Sequence, residues 1–112
     1  MAPGTIPPAE ALELAALITP TEHGISSRVL AKNGGGTVTL FAFDAGEALS
    51  EHTAPFDALV LVIHGALTLT IGAKTVEARP GAVVRMPAGV SHAVNAFEPA
   101  RMLLIMLRER PA

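Results

Sequence analysis

Short β-prone segments, each closed off by glycine or proline, follow one another from Ile25 almost to the end of the chain. Few folds accept such a pattern. Residues 25–31 form the first predicted strand. Lys32-Asn33-Gly34-Gly35-Gly36 reads as a turn, and the β-branched and aromatic run 37–43 as the next strand. Further strands are predicted over 58–64, 66–71, 74–78, 82–86, 91–96 and 101–108. The turns between them fall at Gly65, Gly72-Ala73, Arg79-Pro80-Gly81 and Pro87-Ala88-Gly89. This number of short strands, with turns this frequent, predicts an antiparallel sandwich or barrel. The glycine run is no phosphate loop, because no Gly-Lys-Ser/Thr and no helix follows it.

Ahead of the strands the pattern differs. Residues 9–18, AEALELAALI, are strong helix formers with Leu14, Leu17 and Ile18 on one stripe. Pro8 suits a first turn and Pro20 stops the run, so a short N-terminal helix is predicted there. The chain divides into a lead-in with that helix over 1–24 and a β-barrel domain over 25–110. At 112 residues there is room for one domain and not two.

Composition removes several function classes. The net charge of -2, without any block of one sign, argues against a phosphate-backbone partner. Four Phe and no Trp or Tyr leave little for base stacking. Without cysteine there are no disulfides and no sulfur-ligated zinc. The longest apolar runs, 58–63 and 102–107, are far short of the ~20 residues of a membrane-spanning helix. No basic residue precedes Arg28, so the start lacks a signal-peptide charge. A soluble, cytoplasmic protein with no membrane or nucleic-acid partner is expected. Half the residues are hydrophobic, which points to a subunit interface or an apolar pocket beyond the core.

The spacing of glycines and histidines in the second half resembles the cupin superfamily. That family's first motif reads Gly, five residues, His-x-His, three or four residues, Glu, six residues, Gly. Here it aligns as Gly46, EALSE, His52, Thr53, Ala54, PFD, Ala58, LVLVIH, Gly65. The second motif reads Gly, five residues, Pro-x-Gly, two residues, His, three residues, Asn. Here it aligns as Gly81, AVVRM, Pro87, Ala88, Gly89, VS, His92 and AVN, with Asn95 one place early. The segment EHTAPFDALV also resembles small bacterial one-domain cupins of uncertain activity. The resemblance implies an all-β cupin double-stranded β-helix, or jelly-roll barrel, and a homodimer. Gly65, Gly81 and Gly89 sit where tight turns demand positive φ.

In the family, two His and a Glu from the first motif and one His from the second hold a divalent metal. His52 and His92 match, whereas Ala54 and Ala58 replace the second His and the Glu. Two imidazoles alone hold such a metal weakly, since catalytic sites keep about three protein ligands. Asp57 and Glu51 stand beside the motif positions, but neighbours along a strand face opposite sides. His64 has the parity of Ala58 but lies roughly 20 Å further along at ~3.3 Å per residue. It is expected to flank a turn, and His23 to sit in a solvated loop. Arg28 and Arg85 are candidate anion partners, or simply exposed strand residues.

Two functions follow as expectations. In the first, a small organic ligand enters the barrel lumen. His52 and His92 are its polar anchors, and Ala54, Ala58, Val60, Phe43 and Met86, with Phe41, form an apolar lining. In the alternative, His52 and His92 are residual ligands of a weakly held Fe, Mn, Ni or Zn in an enzyme of dioxygenase, isomerase or decarboxylase type.

Overall fold

The computed structural model describes residues 5–108. Nine strands follow a single 3₁₀ turn at Leu14–Ala16. They are β1 (Ile25–Asn33), β2 (Gly36–Phe43), β3 (Ala48–His52), β4 (Ala58–His64), β5 (Leu67–Ile71), β6 (Lys74–Ala78), β7 (Val83–Met86), β8 (His92–Asn95) and β9 (Ala100–Leu107). They pair antiparallel in two sheets, β1-β2-β9-β4-β7 and β3-β8-β5-β6. The sheets pack over a shared core that includes Phe43, Val60 and Met102 from one and Leu67, Leu69 and Val94 from the other. This is the all-β jelly roll that the strand pattern and the motifs imply.

Alternation explains which residues meet in that core. Successive side chains of a strand point to opposite faces. On β4, Ala58, Val60 and Val62 are buried while Leu59, Leu61 and Ile63 are only partly covered. Leu67 and Leu69 of β5 likewise point inward and leave Thr68 and Thr70 outside. The predicted turns fall where expected, and Gly65, Gly81 and Gly89 all take positive φ. Gly65 has a second reason to be glycine. A Cβ there would stand 2.2 Å from the Pro99 carbonyl oxygen, so β4 and the β8–β9 connection touch through backbone.

Two expectations need correction. The predicted helix over 9–18 is absent, and only the 3₁₀ turn at Leu14–Ala16 forms. A run of ten good helix formers is marginal unless one face is buried, and none of the residues of this turn is buried. Ala9 takes φ 60°, which helix geometry excludes, and no side chain caps the turn at Glu13. The carbonyls a helix would use internally accept from the barrel instead. Arg101 donates to the Ala15 oxygen at 2.7 Å and Arg28 to the Leu17 oxygen at 3.1 Å. The segment is a strap across the barrel.

The second correction is β3, which the strand pattern misses. Its residues ALSEH are mostly exposed and only Leu49 is partly covered, so it shows no apolar alternation. It forms because β8 offers a free edge: Ala48 pairs with Asn95, Leu49 with Val94 and His52 with His92. Among the described residues, no helix is long and apolar enough to cross a membrane.

Candidate functional site

His52 ends β3 and His92 begins β8, and the two are cross-strand partners. Directly opposed residues of an antiparallel pair bring their Cβ atoms within about 5 Å, so their rings must meet. The ring centroids are 4.3 Å apart in an edge-to-face arrangement, and the two Nε2 atoms are 3.0 Å apart. His92 is buried, whereas His52 is exposed at the rim.

Backbone carbonyls fix both rings. His52 Nδ1 lies 2.9 Å from the Ser50 oxygen and His92 Nδ1 lies 3.3 Å from the Val90 oxygen. A carbonyl can only accept, so each Nδ1 carries the hydrogen and each neutral ring presents a bare Nε2. Two lone pairs then face each other at 3.0 Å. A proton shared between them, or a donor supplied by a ligand, satisfies both. Burial holds the His92 imidazole below the usual histidine range, and the adjacent His52 pushes it the same way. The Val90 carbonyl opposes these effects only in part.

Below the pair lies a small apolar cavity of about 40 Å³. His52, His92, Ala54, Ala58 and Met86 line it together, as the motif positions suggest. Val60 and Phe43 do not. They point inward but are packed into the core beyond the cavity, with Phe41 against them. Leu49, Val94, Met102, Leu104 and Met106 complete the lining and were not foreseen. The three from β9 were within reach of the sequence, since Met102, Leu104 and Met106 alternate along one face. Leu49 depended on β3, and β3 carries no signal.

The other candidate side chains are turned away. Asp57 accepts the Ala88 N–H at 2.8 Å and an Arg85 N–H at 3.0 Å. These two bonds, the backbone one first, hold its carboxyl below the usual carboxylate range. They also tie the Pro87-Ala88-Gly89 turn to the start of β4. The Gly89 N–H donates to the Ala54 oxygen at 2.8 Å, so both motif segments are laced together at the mouth. Glu51 accepts the Ser91 hydroxyl. His64 follows an irregularity in β4 between Val62 and His64, pairs with Arg101 and is exposed outside the barrel. His23 lies exposed in its loop, its N–H bonded to Asp44 at 2.7 Å. Arg28 serves the strap and Arg85 serves Asp57.

This donor set does not fit a four-ligand divalent metal centre. Two imidazoles converge, but Ala54 and Ala58 offer no donor, and the oxygens of Asp57 and Glu51 are engaged elsewhere. Among the described residues, no group of three or more His, Cys, Asp or Glu is placed to hold a metal.

The cupin domain pattern matches residues 39–106, which include both histidines and most of the barrel. The chain belongs to the cupin family. A protein of unknown function from Streptococcus pyogenes is similar across nearly its whole length. It is 30% identical with a TM-score of 0.89, over 96% of this chain and 95% of that one. A cupin superfamily protein from Desulfitobacterium hafniense is 29% identical with a TM-score of 0.87, over 97% and 100% of the two chains. An uncharacterized protein of Streptomyces coelicolor is 34% identical over 70 residues, 62% of this cupin and 67% of that protein.

Proposed function

We propose that this cupin binds a small organic molecule at the mouth of its barrel, with no resident metal. The observation that carries the reading is the pair of Nε2 atoms, 3.0 Å apart, at an apolar cavity. Such a pair accepts a hydrogen bond from a hydroxyl or an undissociated acid. Once it holds a shared proton it also attracts a carboxylate. The lining of Ala54, Ala58 and Met86 suits a small hydrocarbon part.

Size narrows the ligand. Pockets for drug-sized molecules measure about 300–1,000 Å³, whereas the cavity measures about 40 Å³. The ligand therefore has few heavy atoms, or it inserts one small group and rests the remainder on the rim near His52.

The test combines metal analysis with native mass spectrometry of protein purified without chelator. The expected result is a metal-free chain carrying a small organic adduct, lost on the His52→Ala and His92→Ala substitutions. One tightly held divalent metal per chain would overturn the reading in favour of a metal-dependent cupin enzyme. Unchanged adduct retention in both variants would overturn the place assigned to the site.

A further inference from the structure

The strand β4 runs the height of the barrel. Ala58, at its start, lines the cavity at the mouth, and His64 ends it, roughly 20 Å away at ~3.3 Å per residue. Strict alternation would turn His64 inward with Val60 and Val62. The irregularity between Val62 and His64 breaks that parity and sets His64 directly opposite Arg101 of β9. Irregularities of this kind re-aim a side chain. Directly opposed residues bring their Cβ atoms within about 5 Å, so an imidazole and a guanidinium stand side by side outside the barrel.

A second cavity lies against this pair. It measures about 360 Å³, whereas the cavity at the mouth measures about 40 Å³. That is within the range of about 300–1,000 Å³ that holds small organic molecules. The strap contributes Ala15 and Pro20 to its wall, and the barrel contributes Ile63 and Pro99. Three groups on the wall can carry charge: His64, Arg101 and Asp44.

The charges on this wall are unevenly committed. Among the described residues, neither His64 nor Arg101 is paired with a carboxylate. Arg101 gives one N–H to the Ala15 oxygen at 2.7 Å, but a guanidinium carries several. Such a fork grips a carboxylate through two parallel bonds. Asp44 is already satisfied. Its Oδ2 accepts the His23 N–H at 2.7 Å and its Oδ1 accepts the Ala45 N–H at 2.9 Å. Its negative charge still stands on the wall and repels a ligand that brings more than one.

We propose that this cavity binds a small organic monocarboxylate. Arg101 and His64 hold the carboxylate, and the hydrocarbon part lies between the strap and Ile63. The site is separate from the mouth and uses neither His52 nor His92.

The experiment is a nitrogen-15 NMR titration of the full chain with sodium benzoate at constant ionic strength. Saturable shifts are expected at the amides of Ala15, Ile63, His64 and Arg101, with a dissociation constant in the low-millimolar range or tighter. Benzyl alcohol, which lacks the charge, and inorganic phosphate, which carries more of it, should both bind more weakly. His64→Ala and Arg101→Gln should each raise the benzoate constant on the order of tenfold or more, the scale of a hydrogen bond to a charged group. His64 is the decisive position should Arg101→Gln release the strap, because its side chain is exposed and can be removed without disturbing the core. Absence of saturation at tens of millimolar would overturn the proposal, as would unchanged affinity in His64→Ala. Shifts centred on His52 and His92 would move benzoate to the mouth and overturn it too. Benzyl alcohol or phosphate binding as tightly as benzoate would refute the ligand class.

Discussion

Replacing Gly65 with alanine should destabilise the barrel far more than the same change at Gly72. Both glycines are left-handed, at φ 68° and 60°. Each alanine therefore carries a backbone penalty of about 1–2 kcal/mol. At Gly72 little is added, since the new methyl would meet only the Val90 Cγ1 at 3.4 Å. At Gly65 it would stand 2.2 Å from the Pro99 carbonyl oxygen and 3.0 Å from the Ala100 Cα. Relief needs a backbone retreat of roughly 1 Å in the connection leading into β9, and forced repacking of this kind costs about 1–3 kcal/mol. The sum for Gly65→Ala is about 2–5 kcal/mol, against a total stability of about 5–15 kcal/mol for a domain. With about 4–8 °C of Tm per kcal/mol at this size, the melting point should fall by at least ~8 °C. Urea denaturation of the two variants side by side isolates the clash, because the φ penalty cancels. If Gly65→Ala lost no more stability than Gly72→Ala, the claim that β4 and the β8–β9 connection meet through backbone would be wrong. A Gly65→Ala chain that cannot fold, beside a folded Gly72→Ala chain, is the same result in its extreme form.

Three further outcomes follow from the site and the core. Burial and His52 lower the His92 pKa below its usual value of 6.5, so below that pH the unfolded chain binds the extra proton first. Stability should therefore fall as pH drops from 6.5 toward the folded pKa. The His92→Gln variant should show a shallower slope of urea midpoint against pH in that window, and an identical slope would refute the assignment. Asp57 is lowered by the Ala88 N–H and Arg85, so its contribution is present above pH 3.8 and is lost as pH falls through its folded pKa. Asp57→Asn should remove that acid-sensitive part and quicken amide exchange at Ala88, which hydrogen-exchange mass spectrometry can read. Leu69 is fully buried in the shared core, and Leu69→Ala should cost about 2–5 kcal/mol in chemical denaturation.

The barrel was legible because its signals are local. Gly65, Gly81 and Gly89 mark turns whose φ only glycine adopts readily, and β4, β5 and β6 keep their predicted ends to within a residue. The strap and β3 were hidden because neither owes its shape to its own residues. Helix propensity over 9–18 yields to Arg101 and Arg28, which take the carbonyls of Ala15 and Leu17 from far along the chain. The ladder of β3 is supplied by β8. The site divides in the same way. The motif spacing identified His52, His92, Ala54, Ala58 and Met86 as neighbours, but the depth at which the cavity closes depends on packing. That is why Val60 and Phe43 belong to the core and Leu49 belongs to the lining.

The missing ligands bear on what the barrel needs in order to fold. Ala58 lies between Met86 and Met106 in the sheet register and is buried. A carboxylate there would need a metal or a cation to offset its desolvation, because an unpaired buried charge costs several kcal/mol. Alanine removes that requirement together with the ligand. The same holds for Ala54, whose backbone oxygen still accepts the Gly89 N–H whatever its side chain. The glycines have no such freedom, since Gly65 is held by φ and by the Pro99 carbonyl at once. Metal ligands can thus be lost from this barrel one side chain at a time while its turns remain fixed. His52 and His92 can remain because Ser50 and Val90 set their tautomers, and a shared proton or a ligand donor between the two Nε2 atoms satisfies both where a metal would otherwise stand.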